Sequence, residues 1–235
     1  MNWLNRTELL LGTNKLNKLK NSHVLVVGLG GVGAYAAEML CRAGIGKLTI
    51  VDGDEVELTN LNRQLPGTTS NIGKQKAEVL FERFKDINPE IELEVICEYI
   101  HDKRILEVLH TDFDYVVDAI DTLAPKVYLI YHSIQRGLPI VSSLGAGGKM
   151  NPELIKTVDI SKSYNCKLGR MMRKRLGKFG IKKGFKVVFS PEDVAGSAVR
   201  LEEGINKKSV VGTISYMPPL FGCHVAAVVI NALTS

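Results

Sequence analysis

A glycine-rich loop is the first feature of this sequence whose residue types suggest chemistry. It has four glycines within six positions: Gly28, Gly30, Gly31 and Gly33. An apolar run, His23 to Gly28, precedes it and an alanine-rich run, Val32 to Ala43, follows, which predicts a strand, a loop and a helix. Glycines in that setting let the backbone approach a phosphate at the positive end of the helix. The loop alone fits a dinucleotide dehydrogenase, an ATP-using enzyme or a turn that only packs tightly.

Polar residues follow the next predicted strand, Lys47 to Asp52. Asp52 stands about 20 positions after the glycines, where a carboxylate can hold ribose hydroxyls, and Asp54 follows it. A dense polar run and the start of the next helix come after these carboxylates: Asn60, Asn62, Arg63, Gln64, Lys74 and Lys76. An arginine and a lysine near that site suit a triphosphate better than a nicotinamide, although single charges on a loop are often only solvated.

Two further carboxylates, Asp118 and Asp121, end the strand that begins at Tyr115. Ligands bind at the carboxyl edge of such sheets, so one of the two could hold Mg²⁺ against the phosphates. The alternative is that Asp118 ends the strand and Asp121 caps the helix from Thr122 to Arg136.

Alternating strands and helices over the first 145 residues would position these groups. The alternation predicts an α/β fold, a Rossmann-like doubly wound and mostly parallel sheet, with an ATP-binding core and an N-terminal helix over 1–145. From 146 to 235 the alternation stops, which predicts a basic appendage and a C-terminal helix that complete the same domain. A strand is expected over Phe185 to Phe189, and Ser190 to Ser209 carries no assignable motif.

Composition limits the function classes. The hydrophobic content of 45% is that of an ordinary globular protein, and the four cysteines form no CxxC pair, which indicates neither a zinc knuckle nor a disulfide framework. A reducing cytoplasm fits best. The apolar stretch from Val210 to Leu233 is interrupted by prolines and polar residues, so it predicts a buried helix and no membrane partner.

The net charge of +5 is unevenly placed. Nine cations and no acidic residue lie between Lys167 and Lys186, and six of them are the candidate RNA-binding residues: Lys167, Arg170, Arg173, Lys174, Arg175 and Lys178. Their spacing predicts a helix with a cationic face opposite Met171, Met172 and Leu176. A polyanion is the natural partner, and a solvated cationic loop is the alternative.

The chain resembles the ubiquitin-activating-enzyme superfamily in an ordered set of motifs. These are the glycine loop, the DxD at Asp52 and Asp54, the NLNRQ run from Asn60 to Gln64, Lys76, and the DxxD at Asp118 and Asp121. One branch, the tRNA threonylcarbamoyladenosine dehydratase family, is similar over nearly the whole chain. That similarity rests on Ala119-Ile120-Asp121 with Pro125-Lys126, the Gly145 to Gly148 turn, the basic segment and the lack of CxxC pairs.

The resemblance implies that ATP adenylates the carboxylate of a threonylcarbamoyl group on tRNA, after which a ring closes with loss of water. Gly30 and Gly33 would approach the phosphates, Asp52 would hold the ribose, Arg63 and Lys76 would neutralise phosphate charge, and Asp121 would coordinate Mg²⁺. Arg6 would reach the triphosphate from the other subunit of a homodimer. The full set of expected nucleotide contacts is Gly28, Gly30, Gly31, Gly33, Asp52, Asp54, Asn60, Asn62, Arg63, Gln64, Lys76, Asp118 and Asp121.

The family also implies a monovalent cation, Na⁺ or K⁺, by the Gly145 to Gly148 turn and a sulfur-relay protein as a further partner. Three alternatives stay open. An activating enzyme for a ubiquitin-like sulfur carrier would need a zinc site or a transfer cysteine, for which Cys166 is a candidate. A non-catalytic nucleotide-binding module would lack Arg63, Lys76 or Asp121. An NAD oxidoreductase is disfavoured by the NLNRQ run.

Overall fold

The computed structural model describes residues 3–201 and 209–235. Eight α-helices lie in these ranges: α1 (Asn5–Leu11), α2 (Thr13–Lys20), α3 (Gly33–Ala43), α4 (Lys76–Ile87), α5 (Lys103–Val108), α6 (Leu123–Gln135), α7 (Lys167–Gly177) and α8 (Met217–Leu233). The strands there are β1 (His23–Val27), β2 (Lys47–Val51), β3 (Glu92–Ile96), β4 (Tyr115–Asp118), β5 (Ile140–Ser143), β6 (Lys156–Asp159), β7 (Lys186–Phe189), β8 (Val199–Leu201) and β9 (Ser209–Val211).

Seven strands form one sheet in the order β3-β2-β1-β4-β5-β7-β6. All neighbours are parallel except β6, which runs antiparallel to β7. This arrangement confirms the predicted Rossmann-like, mostly parallel α/β fold. Because the strand order reverses beside β1, a crevice opens between the carboxyl ends of β1 and β4, where ligands bind in such sheets.

Helices cover both faces of the sheet, and the inner strands are accordingly apolar. Every residue of β1 and β4 is buried, which is typical of parallel strands packed on two sides. One core lies among α3, α4 and α8, and the other among α5, α6 and α7. The close approach of α3 and α8 depends on Gly222, because a Cβ there would lie 2.6 Å from the Val32 carbonyl oxygen.

Two helices stand where the sequence predicts one N-terminal helix. Gly12 separates α1 from α2 at a φ of 82°, a conformation that a side chain would disfavour. Leu4 packs beside Gly44, at the end of α3 away from the glycine loop. No residue of α1 is buried, and Leu9 and Leu10 are 79% and 84% exposed.

The region from residue 146 onward extends the main sheet. The strand predicted at Phe185 to Phe189 is confirmed as β7, while the short edge strand β6 carries no clear sequence signal. β8 and β9 pair as a small antiparallel ribbon, and residues 202–208 of the unassigned stretch from Ser190 to Ser209 lie outside the described residues. None of the described helices is long and apolar enough to span a bilayer.

Candidate active site

The glycine loop lies at the crevice, between β1 and the start of α3. Gly28 has a φ of 89°, and a Cβ on it would lie 2.7 Å from the Ala119 carbonyl oxygen. A Cβ on Gly33 would lie 1.7 Å from the Gly28 carbonyl oxygen, so this glycine lets the loop close on itself. At Gly31 the same atom would meet Pro218 at 2.8 Å. Three glycines are therefore required by packing.

Gly30 differs from its neighbours. Apart from its two chain neighbours, the only heavy atom of the described residues within 4 Å of a Cβ built there is the Gln64 Nε2, at 3.9 Å. The backbone at Gly30 therefore faces open space rather than protein, as a loop that receives a phosphate must. This opening is the first observation that fits a nucleotide at the predicted place.

Asp52 fixes the loop from the end of β2. Its Oδ2 accepts a hydrogen bond from the Leu29 amide at 2.5 Å, and its Oδ1 accepts one from the Asp54 amide at 2.8 Å. Burial raises the pKa of Asp52, and the two amides partly oppose that rise. A carboxylate that holds the loop and keeps further lone pairs can also accept from a ribose hydroxyl.

Lys76 is held in place before any substrate binds. Only 3% of the residue is exposed, and its Nζ lies 2.8 Å from the Asp54 Oδ2. The Tyr99 hydroxyl donates to the other oxygen of Asp54, and this bond is the main cause that raises the pKa of Tyr99 to about 12. Tyr99 follows β3 and was not predicted, because it is 45 residues from Asp54 in the sequence.

The sequence predicts that Asp118 faces the crevice, but in the structure its side chain is buried. It is fully buried, it pairs with the fully buried Lys126 at 2.8 Å, and it accepts a hydrogen bond from the Ser142 hydroxyl at 2.6 Å. Lys126 also donates to the Ile120 carbonyl oxygen at 2.9 Å. Burial raises the pKa of Asp118, with Lys126 opposing. The pair therefore positions the segment that carries Asp121, and the nucleotide contact of Asp118 stays a prediction.

Asp121 is exposed at the carboxyl edge, just before α6. Among the described residues, no group of three or more histidine, cysteine, aspartate or glutamate side chains could hold a metal ion. A cation at Asp121 would therefore need oxygens from the substrate. Mg²⁺ at nucleotide sites is commonly held in that way, by one or two carboxylates together with phosphates and water.

The NLNRQ run is only partly directed at the crevice. Asn60 is buried and forms a capping box with Glu57, so its role in the structure is to shape the loop. Asn62 donates to the Thr213 carbonyl oxygen at 3.0 Å, and Arg63 donates to the Asn62 Oδ1 and the Thr59 carbonyl oxygen, both at 2.8 Å. The run thus joins the site to the segment that follows β9.

Two glutamine oxygens are the buried side-chain polar atoms left without a partner in the described part of the chain: Gln64 Oε1 and Gln75 Oε1. Gln64 lies beside Gly30, and Gln75 directly precedes Lys76. A buried oxygen without a donor is costly, so the Gln64 oxygen, beside the open backbone at Gly30, suits a ligand that supplies hydroxyl or amino hydrogens. A nucleoside has both. Gln75 was missed because the sequence offers no motif for it.

The remaining predicted residues lie away from the crevice or serve the local structure. Arg6 is exposed on α1, near the end of α3 that is remote from the glycine loop. The Cys166 Sγ accepts a hydrogen bond from the Gly169 amide at 3.4 Å, so this cysteine caps α7. The Gly145 to Gly148 turn follows β5, and the Gly148 amide donates to the Gly212 carbonyl oxygen at 2.8 Å.

The basic helix α7 contacts α6, and its buried residues are Gly169, Met172 and Leu176. Met171 is exposed, contrary to the predicted apolar side. Arg173 is partly buried and donates to the Ser163 hydroxyl, which sets it apart from the other cations. The exposed members of the predicted RNA-binding set are Lys167, Arg170, Lys174, Arg175 and Lys178.

Comparisons with known proteins agree with this geometry. The ThiF family model matches residues 4–235. A tRNA threonylcarbamoyladenosine dehydratase from Bacillus subtilis is 38% identical over 225 residues, which cover 95% of this chain and 88% of that protein. The Escherichia coli tRNA N6-threonylcarbamoyladenosine dehydratase TcdA, solved in complex with ATP, superposes with a TM-score of 0.89 at 33% identity, covering 97% of this chain and 92% of that one.

Proteins of the carrier-activating kind are more distant. The adenylyltransferase and sulfurtransferase UBA4 from Lodderomyces elongisporus is 32% identical over 65% of this chain, and the match covers 33% of that protein. The match therefore leaves about a third of this chain and most of the yeast protein without a counterpart.

Proposed function

This chain belongs to the ThiF family, and we propose that it is a tRNA threonylcarbamoyladenosine dehydratase. It uses ATP to adenylate the carboxylate of the threonylcarbamoyl group on a tRNA adenosine and then closes a ring. The observation that carries the proposal is the dehydratase that is 38% identical over 95% of the chain. The open backbone at Gly30, beside an anchored Lys76, supports ATP as the co-substrate.

The first step brings two anions together. A carboxylate oxygen attacks the α-phosphorus of ATP, the bond to the β-phosphate oxygen breaks, and pyrophosphate leaves. Fixed positive charge near the phosphates lowers this barrier because it stabilises the negative charge that accumulates there in the transition state. Lys76 provides such a charge, since Asp54 and Tyr99 fix its position, and Arg63 on the adjoining run provides a second.

We assign Asp121 to Mg²⁺. The exposed carboxylate at the sheet edge fits an ion that takes its other ligands from phosphate oxygens and water. When bound, the ion would neutralise charge on the departing pyrophosphate. A monovalent cation, Na⁺ or K⁺, by the Gly145 to Gly148 turn belongs to the same proposal, supported by the open space beside Gly145.

The second step needs positioning more than further catalysts. A nucleophile on the same modified adenosine attacks the acyl carbon, AMP leaves with one carboxylate oxygen, and the nucleophile loses a proton. The product is thus one water lighter. Because both reacting groups belong to one molecule, their effective concentration is already high. Cys166 is not needed, and its cap on α7 gives it a structural task.

The protein acts as a homodimer in this proposal. Leu9 and Leu10 leave an apolar surface on α1 that a second copy could cover. Arg6 of the same chain lies toward the far end of α3, an 11-residue helix about 16 Å long. Arg6 would therefore serve the site of the other subunit. A tRNA substrate implies a cytoplasmic protein, and a sulfur-relay partner stays a prediction of the resemblance alone.

The exposed cations of α7 would bind the phosphate backbone of the tRNA. Such contacts provide affinity and orientation without sequence choice, and they weaken as salt concentration rises. Their number and their lack of acidic neighbours support this role.

The test is mass spectrometry of nucleosides from threonylcarbamoyl-modified tRNA incubated with the protein, ATP and magnesium. We expect an ATP-dependent loss of one water from the modified adenosine. Labelling the threonyl carboxylate with ¹⁸O refines the test, because an acyl-adenylate delivers one labelled oxygen to AMP. An unchanged nucleoside mass would reject the dehydratase, and an unlabelled AMP alongside the mass loss would reject the adenylate.

A further inference from the structure

Four aromatic rings meet on the outside of the molecule, where α6 packs against the end of α7. We name Tyr128, Tyr131, His132 and Phe179 the aromatic platform. The Phe179 ring centroid lies 4.7 Å from that of Tyr131 and 6.4 Å from that of Tyr128, and the rings of Tyr131 and His132 are 4.8 Å apart. The cluster joins residues about 50 positions apart in the sequence.

Tyr131 packs against the core, whereas the outer rings of the aromatic platform face solvent. Tyr128 and Phe179 are 39% and 43% exposed, while Val127, Leu129 and Ile130 on the other side of α6 are buried. A surface that places several large rings together in contact with water is typical of a binding site. Tyr128 and Phe179 are the two rings most open to a ligand.

Exposed cations precede and follow Phe179 in the sequence. Lys174, Arg175 and Lys178 on and after α7 are exposed, and among the described residues none of the three side chains forms an ion pair or a hydrogen bond. Phe179 directly follows Lys178, and Lys182 and Lys183 come shortly after. Rings beside unpaired positive charge match a ligand that has both flat, stackable groups and negative charge. Single-stranded nucleic acid has that combination.

The platform also lies within reach of the candidate active site. Asp121 stands two positions before Leu123, the first residue of α6, and Tyr128 stands five positions after it. At 1.5 Å per residue, Tyr128 lies about 8 Å along the helix from that end.

We propose that the aromatic platform stacks unpaired bases of an RNA loop while the neighbouring cations hold its phosphates. This inference deepens the proposed function, because it names the part of the RNA that the protein grips. A duplex does not satisfy the site, since its bases are stacked inside the helix and present no face to a side chain. An unpaired loop does, because its bases can turn outward and stack on aromatic rings.

Fluorescence anisotropy with two labelled RNAs, without ATP, tests the proposal. One RNA is a hairpin with an unpaired loop, and the other is a blunt duplex with the sequence of the hairpin stem. The variants are Tyr128→Ala, Phe179→Ala and Phe179→Leu, the last of which keeps apolar bulk without a ring. Trp3→Ala is the matched control, because Trp3 is an exposed aromatic residue outside the platform.

We expect the wild type to prefer the hairpin and each platform variant to lose about 5- to 100-fold in hairpin affinity. Duplex affinity, the slope of hairpin affinity against salt, and thermal unfolding should stay near wild type, and Trp3→Ala should keep the preference. Phe179→Leu should behave as Phe179→Ala does. A wild type without preference, equal losses on both RNAs, or full hairpin affinity in Phe179→Leu would each overturn the proposal.

These measurements are separate from those of the proposed function. Because the RNAs are unmodified and ATP is absent, a failed dehydration assay leaves a ring-dependent hairpin preference standing. Conversely, normal dehydration together with hairpin binding that ignores the rings would remove the platform and leave the enzyme.

Discussion

The cations in and beneath the crevice differ sharply from those of α7. Lys76 and Lys126 are almost fully buried, and each pairs with an aspartate at 2.8 Å. Lys174 and Lys178 are exposed and without a described partner. A buried, paired charge has a fixed position that salt hardly screens, whereas an exposed charge is mobile and strongly screened. The buried cations therefore fix the geometry of the site, while the α7 cations attract a polyanion with a strength that salt adjusts.

The largest expected effect is on folding. Lys126→Met leaves the buried Asp118 carboxylate without its partner, which should reduce the free energy of unfolding by about 3–5 kcal/mol. Urea denaturation measures this, and Lys174→Met is the exposed control, with a change within about 0.5 kcal/mol. Adding Asp118→Asn to Lys126→Met should recover part of the loss. Equal free energies of unfolding for Lys126→Met and Lys174→Met would show that the buried lysine contributes no more to stability than the exposed one.

The next effect is on chemistry. Lys76→Met removes the positioned charge, so single-turnover dehydration should slow by about 10²–10³-fold while RNA affinity stays unchanged. Lys74→Met is the matched control, because Lys74 is two positions away but exposed. We expect Lys74→Met to react near the wild-type rate. If both variants slow the reaction alike, the fixed position of Lys76 beside Asp54 does not explain its effect on the rate.

A third test concerns Glu38, a buried carboxylate bonded to two half-exposed arginines. Glu38 is buried, and although burial raises its pKa, hydrogen bonds from Arg83 and Arg42 outweigh it and leave the pKa below its usual value. A carboxyl whose pKa is lowered by folding stabilises the protein above its unfolded pKa, and the contribution disappears as pH falls through the folded value. Glu38→Gln should therefore cost about 1–2 kcal/mol at pH 7 and progressively less in acid. A cost that grows in acid would contradict this assignment.

The smallest effect per residue is on RNA affinity. Each of Lys174→Gln and Lys178→Gln should weaken binding of tRNA modestly and lower the slope of log affinity against log salt by about 0.7–0.9. ATP affinity should not change. Filter binding at several salt concentrations measures the slope. A slope equal to that of the wild type would return these lysines to the status of solvated surface charges.

The sequence predicts the fold and the glycine loop because their signals are local. Strand, glycines and helix are contiguous, and an acidic residue at a fixed distance marks the end of β2. β6 was missed because it is a four-residue edge strand with no apolar pattern. Two N-terminal helices replace one because Gly12 breaks the run with a positive φ.

The sequence shows the motifs that could form a site, but it does not show the partners of their side chains. Nothing in the sequence shows that Asp118 turns inward, since that depends on Lys126 from the next helix and Ser142 from β5. Tyr99 and Gln75 gain their places only when separate loops meet at the sheet edge. The aromatic platform likewise needs Phe179 beside α6. Contacts between distant segments are set by tertiary packing, which periodicity and motifs do not encode.

Single-turnover dehydration at rising enzyme concentration tests most directly whether Lys76 acts in catalysis and the α7 cations act in RNA binding. Wild type, Lys76→Met and the Lys174→Gln/Lys178→Gln double variant are compared on the same modified tRNA with saturating ATP and magnesium. We predict that the double variant reaches the wild-type rate once enzyme saturates the tRNA, while Lys76→Met stays about 10²–10³-fold slower. A double variant that remains slow at saturation, or a Lys76→Met variant that recovers, would contradict the separate roles of Lys76 in catalysis and of the α7 cations in RNA binding.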